Sequence, residues 1–286
     1  MMGRFGLTSF GHGAFLGTGA YAPALLWNYY GITPWLGIPA AMLLAMLLGV
    51  LIGYPSFRLR VVGHYFALVT LALSQVVLLS LIAAREITGG SLGMTLTVVH
   101  SWLALQFAEK RTYYGLALVL WLIALAAWRW IDTGIGRVAL EAISEDETAA
   151  ASIGIDIMRE KLRVTMLSAA LTALGGALLT QYIQYVNPEV VSGVAVSLQI
   201  VFAAIAGGMH TVLGPTVGAL FTIVLNEGLR ILFGTHFIGA ANTIYGILLI
   251  LFIIFMPQGI VGLIEGISAR AIRGADATAG APAARA

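Results

Sequence analysis

The stretch Trp35-Leu-Gly-Ile-Pro-Ala-Ala-Met-Leu-Leu-Ala-Met-Leu-Leu-Gly-Val-Leu-Ile-Gly-Tyr54 runs for twenty residues without a charged side chain. At 1.5 Å of rise per residue, a helix of that length spans about 30 Å, the thickness of a bilayer's hydrocarbon core. In lipid each backbone N–H and C=O has to be paired within the spanning structure, which leaves helices or closed barrels. Barrel strands alternate polar and apolar over about ten residues; this run does not alternate. Working outward, the same pattern recurs at 13–30, 65–84, 113–130, 162–183, 196–209, 212–233 and 240–256. The 196–209 stretch is short: it either crosses half the bilayer or joins the next helix through Gly207-Gly208. The expectation is an all-α fold, a polytopic transmembrane helix bundle of about seven or eight spans. It reads as one membrane domain over 1–270, with an Ala- and Gly-rich disordered tail at 271–286.

Composition points the same way. The chain is 59% hydrophobic and 10% charged, whereas soluble domains carry about a quarter charged residues. Such a chain cannot coat a globular surface with polar groups, so a soluble enzyme is excluded. With no cysteine, disulfides, thiol catalysis and Cys-based metal sites are excluded too. No phosphate-binding Gly-x-x-x-x-Gly-Lys-Ser/Thr loop, His-Glu-x-x-His pair or Gly-x-Ser-x-Gly elbow occurs, and the histidines are scattered. Neither a catalytic residue, a metal nor a cofactor is therefore expected, and the chain cannot hydrolyse ATP itself. No Lys/Arg run suits nucleic acid. Residues 1–10 lack the pattern of a cleavable signal, so the spans themselves are expected to direct insertion. Most prolines fall near segment ends, and Trp27, Tyr29, Tyr30, Trp35, Tyr113, Tyr114, Trp128 and Trp130 form interfacial belts.

Orientation follows from the basic residues. With 54–64 placed in the cytoplasm, eleven of the fifteen Lys and Arg fall on that side, including Arg58, Arg60, Arg137, Arg159, Lys161 and Arg163. The other four, Arg85, Lys110, Arg111 and Arg230, fall outside. Residues 131–163 then form a cytoplasmic loop, and 85–111 an external one.

The cytoplasmic loop carries the most information. From Val138 to Ser152 it is rich in Ala, Glu and Leu, which favours helix. Ser144 with Glu147 reads as a capping box and Gly154 as a helix end, giving two short helices or one kinked at Ser144. Glu145, Asp146 and Glu147 make a compact acidic face beside small apolar residues. On pattern alone this is either a docking helix for a partner's groove or a solvated connection.

Beyond pattern, the sequence resembles the LivM-type permease subunit of branched-chain amino acid ABC transporters. The residues carrying the likeness occur in order from Gly6 to about Ile264. They are Ser9-Phe10-Gly11-His12-Gly13 with Gly17-Thr18-Gly19; Arg58-Leu59-Arg60 with Tyr65-Phe66-Ala67; Thr88-Gly89-Gly90; Arg137 through Gly154-Ile155-Asp156; Gly207-Gly208-Met209 with Leu213-Gly214-Pro215; and Met256-Pro257-Gln258-Gly259. Ser144, Gln75 and His210 depart from the family's usual Arg, acidic residue and Gly, and the family's usual one or two earlier spans do not precede the Gly-His-Gly block.

The resemblance implies a transport subunit of the bacterial inner membrane moving branched-chain or related small amphipathic amino acids, with urea or short amides as the alternative cargo. It implies a homologous second permease, two ABC ATPase subunits and a periplasmic substrate-binding protein as partners. Glu145, Asp146, Glu147, Ala149, Ala150 and Gly154 would form the element coupling the chain to its ATPase. Polar groups in a membrane are default functional suspects, so His12, Gln75, Gln199 and Asn226 are the candidate pathway residues; for each the competing reading is a packing hydrogen bond. Glu227 and Arg230, three apart, read as an ion pair on one helix face. A self-sufficient carrier would need acids near the midplane, and only Glu227 is available.

Overall fold

A computed structural model describes residues 8–61, 63–99, 101–133, 135–209, 211–233, 240–255 and 259–262. They fold into α1 (His12–Tyr30), α2 (Pro34–Arg58), α3 (His64–Ala83), α4 (Arg85–Thr88), α5 (Lys110–Thr133), α6 (Ile135–Glu145), α7 (Glu147–Ser152), α8 (Ile157–Ile183), α9 (Pro188–Ser192), α10 (Val194–Gly207), α11 (Gly214–Phe233) and α12 (Ala240–Phe255). A short antiparallel ribbon pairs β1 (Met94–Thr95) with β2 (Tyr185–Val186). Among the described residues, six helical stretches are long and apolar enough to cross a bilayer: α2, α3, α5, α8, α9 with α10, and α11. The chain is a multi-pass membrane protein. The readings made for residues 271–286, His210 and Met256-Pro257-Gln258 lie outside the described residues.

The chain divides into two compact units, Met1–Leu198 and Gln199–Ala286. In the first, α1 packs between α2 and α8. Burial is inverted relative to a soluble bundle. Large side chains such as Leu43, Leu47 and Leu51 point outward, while the seams are made of Ala14, Ala20, Ala41, Ala45, Ala169 and Ala173. Lipid is as apolar as leucine, so helices associate by close packing of small residues rather than by burying large ones. The α1–α8 crossing is the tightest case: a methyl group on Gly19 would lie 2.0 Å from the Ala173 carbonyl oxygen, and one on Gly176 2.1 Å from that of Leu16.

Helix ends follow local chemistry. Gly31, in the left-handed region, closes α1: its N–H donates to Trp27 O and that of Ile32 to Leu26 O. Pro34 opens α2, where its missing N–H would have had no helical partner. Residues 85–111, read as an external loop, form an ordered cap. Trp27 donates to Thr97 O (2.9 Å), Trp35 to Trp102 O (2.9 Å), and Asn28 bonds both Thr95 O and Thr97 N. The ribbon ties this cap to the end of α8. The opposite end of the unit gathers Phe57 of α2, Phe66 of α3, and Leu140, Ile143 and Ala150 of α6 and α7 into one cluster.

In the second unit residues 199–207 of α10 form a close hairpin with α11. A methyl on Gly218 would lie 1.9 Å from Ala203 O. Leu229, Phe202, Leu225 and Ile244 form its core, and Glu227 and Arg230 pair at 2.8 Å on α11 as their spacing predicts.

Candidate functional site

Residues 135–156 fold as two short helices, with the break at Asp146, two residues later than the sequence implied. Ser144 lies inside α6 and caps nothing; Asp146 is the N-cap of α7. Its backbone is extended, and Oδ1 accepts from the N–H of Thr148 (2.7 Å), the N–H of Ala149 (3.1 Å) and the Thr148 hydroxyl (2.6 Å). A carboxylate on a short stem satisfies two of the orphan N–H groups at once, so the cap forms there. The Thr148 hydroxyl, then the two N–H donors, hold the Asp146 carboxyl below the ordinary 3.8. Gly154 ends α7 at φ +89°, with Gly154 N–H donating to Ala151 O and Ile155 N–H to Ala150 O.

The three acids expected to share one face do different things. Asp146 is committed to the cap. Glu147 pairs with Lys161 of α8. Glu145 is exposed, as are Thr148, Ala149, Ser152 and Gly154. Ile153 is 73% exposed beside them, and Val138 on α6 is exposed too, so the outer surface carries apolar as well as polar side chains. Ala150 points inward and is buried against Phe57 and Leu140. Arg137 pairs with Glu141 one turn on at 3.0 Å, and that hydrogen bond is the main cause raising the guanidinium's pKa. The segment thus has a fastened inner face and a free outer one.

The candidate pathway residues divide between the units. His12, at the start of α1, has Nδ1 3.3 Å from Ser9 O and Nε2 2.9 Å from Ser168 Oγ. Gln75 is half-buried on α3, and its Nε2 finds no partner among the described residues. Gln199 of α10 is exposed and Asn226 of α11 half-buried. Their neighbours Gly13 and Ser74 meet in a hydroxyl knot that sequence reading missed. Gly13 N–H donates to Ser197 Oγ at 3.0 Å, and Ser74 Oγ donates to Ser192 O at 3.1 Å and lies 3.4 Å from Ser197 Oγ. The knot sits where Gly193, in extended backbone, separates α9 from α10. Transporters commonly place such breaks along the solute path. The available signal was the Ser192-Gly193 pair inside an apolar stretch.

Comparison with known proteins decides the family. The model of the branched-chain amino acid transport system / permease component family matches residues 1–256. The chain belongs to this family. It is 31% identical over 284 residues to the high-affinity branched-chain amino acid transport system permease protein LivM of Escherichia coli (strain K12), covering 91% of this chain and 65% of that protein. It is 26% identical over 266 residues to a probable branched-chain amino acid transport permease protein LivH of Methanocaldococcus jannaschii, covering 89% and 83%. It is also 29% identical over 207 residues to the ribose import permease protein RbsC of Haemophilus influenzae, covering 68% and 60%. The chain spans 65% of the length of the LivM proteins of Escherichia coli and Salmonella typhimurium that it matches. No solved structure matches.

Two of the blocks on which the resemblance rested acquire physical reasons in this fold. In the Thr88-Gly89-Gly90 block, Thr88 Oγ1 lies 2.6 Å from Leu81 O and accepts from Gly90 N–H at 3.2 Å, turning the chain back over α3. In the Ser9–Gly13 block, Phe10 N–H donates to Thr70 Oγ1 at 3.0 Å, fixing the entry to α1 against α3.

Proposed function

We propose that this chain is the transmembrane permease subunit of an ABC importer, carrying branched-chain or related small amphipathic amino acids across the bacterial inner membrane. The helices α6 and α7 are its cytoplasmic coupling segment. Glu145, Ala149 and Gly154, with Ile153, form the surface received by a separate ATPase, while Asp146, Glu147 and Ala150 hold that surface in place. The observation that carries this reading is the two-faced segment: an ordered, capped helix pair with one side locked to the bundle and the other presenting the exposed apolar side chain of Ile153. A merely solvated connection has no reason to be fastened so.

In this reading eight helices cross or enter the membrane, α1 and α12 joining the six apolar stretches, and the 85–111 cap lies outside. A homologous second permease, two ATPase subunits and a periplasmic binding protein complete the transporter in this reading; relatives named LivM and LivH in one organism support the second permease. The Ser74–Ser192–Ser197 knot, with His12 and Gln75 beside it, borders the solute path within the first unit, and Gln199 and Asn226 are the second unit's own candidates. Because a relative is named for ribose, family membership does not choose the cargo; urea or a short amide is the alternative solute.

The chain has no cysteine, so single cysteines report without background. Ala149→Cys should react with a membrane-impermeant thiol reagent only in inside-out vesicles, and be shielded once the ATPase subunits are bound. Trp102→Cys should react only from the opposite side. Labelling of the Ala149→Cys chain from outside, or labelling that the ATPase leaves unchanged, defeats the assignment.

A further inference from the structure

Lys161 is the one charged side chain that is buried among the described residues, at 3% exposure. It sits one turn inside α8. Its Nζ pairs with Glu147 at the first position of α7 and lies 5.5 Å over the ring of Phe57 on α2. Phe57 in turn stacks on Phe66 of α3, with ring centroids 5.3 Å apart and planes 22° apart. One ammonium therefore joins α7, α8 and α2 directly, and α3 through the stacked rings.

We infer that the Glu147–Lys161 pair is the latch through which displacement of α7 reaches α2, α3 and α8, which makes Lys161 and Phe57 positioning residues for transport. The inference rests on the coupling reading above. The physical argument is one of direction. Six residues make too short a helix to stand alone in water. The apolar contact that seats α7 is the methyl of Ala150, and such burial is non-directional. A surface held only so would slide when pushed. The ion pair cannot slide without leaving an ammonium unpaired in a buried site, which is strongly unfavourable, and the ring beneath it adds a second, electrostatic seat. Lys161 also continues the buried stripe of α8 through Thr165, Ala169 and Ala173, the stripe that meets α1 and α2. A push on α7 is thus delivered to the end of the helix that packs against the centre of the bundle.

A structural role alone would make the same pair matter for folding, so the test separates the two. Lys161→Met keeps the length of the side chain and removes its charge; Glu147→Gln removes the other. The double variant leaves no uncompensated buried charge, and Lys161→Arg keeps the pair. Each is assembled with its second permease, ATPase and binding-protein partners in proteoliposomes, the solute taken up per ATP hydrolysed is measured, and the membrane level of the chain is quantified alongside. We expect both single variants to lose at least tenfold in that ratio with the ATPase still bound. The double variant should regain wild-type membrane levels but not the ratio, and Lys161→Arg should retain most of it. If the double variant recovers the ratio along with the membrane level, the pair is structural only and the latch is overturned. If the wild-type chain neither binds nor stimulates the ATPase, the coupling reading falls, and the latch with it.

Discussion

Gly175 and Gly176 are neighbours on α8 with opposite surroundings, which permits an internally controlled test of the packing. A methyl on Gly175 would meet nothing within 4 Å. One on Gly176 would sit 2.1 Å from Leu16 O and 3.1 Å from Ala20 N, both backbone atoms of α1. Replacing either glycine by alanine gains the same helix propensity, up to about 1 kcal/mol, so that term cancels between the two variants. What remains is overpacking, about 1–3 kcal/mol where neighbours can shift. Backbone cannot rotate away as a side chain can, so the upper end applies, about 3 kcal/mol or roughly 150-fold in the folded ratio. At roughly 2–4 °C per kcal/mol, the melting midpoints should differ by roughly 6–12 °C. The assay is the temperature at which purified protein in detergent loses its monodisperse elution peak. Gly175→Ala should melt at or above the wild-type midpoint and Gly176→Ala well below it. Midpoints within a degree or two of each other would mean that α1 and α8 do not approach at Gly176, and the small-residue seam would have to be redrawn.

Other expectations follow from single contacts. Ser197→Ala strands the Gly13 N–H in a buried site and should cost about 1–3 kcal/mol by the same melting assay; an unchanged midpoint would remove the hydroxyl knot from the account. Gly93→Ala forces an alanine to φ +72°, ψ −168°, a region essentially reserved to glycine, with its methyl 2.2 Å from Val186 O, a strain of about 1–3 kcal/mol before the clash is counted, and should render the 85–111 cap sensitive to protease. Intact cap in the variant would contradict the ribbon geometry. Asp146→Ala should speed hydrogen exchange at residues 147–152 while leaving α8 unchanged. Because the folded Asp146 carboxyl lies below 3.8, its contribution is present above that value and lost as pH falls through the lower folded pKa. After correction for intrinsic rates, protection of α7 should therefore hold between pH 7 and pH 5 and weaken only below about pH 4, whereas loss near pH 6 would assign the cap to another group.

Much of the helix plan was legible because lipid imposes it. A run such as 35–54 has one stable conformation in a bilayer, and α2 forms there with its ends set by Pro34 and Arg58. Gly154 was readable as a helix end because few other residues tolerate its backbone. The N-cap was misread at Ser144 because the capping-box pattern counts spacing and not geometry: α6 continues through Ser144 and Glu145, and the shorter carboxylate of Asp146 reaches the free N–H groups. Lys161 was grouped with the loop cations, since charge counting takes a lysine near a span end as solvated. Its register was the overlooked signal, for it stands four residues before Thr165 and eight before Ala169 on the small-residue stripe. The ordered 85–111 cap was invisible because its bonds run between Trp27, Asn28 and Trp35 and backbone groups some seventy residues away, a pairing no local pattern encodes.

The central claim is that this chain moves solute only when another chain supplies the force. Uptake of radiolabelled leucine into proteoliposomes tests it most directly, comparing the chain alone with the chain joined to its second permease, ATPases and binding protein, each with and without ATP. The account predicts accumulation in the complete assembly with ATP and background counts in every other arm. Leucine entering vesicles that hold this chain alone would contradict it.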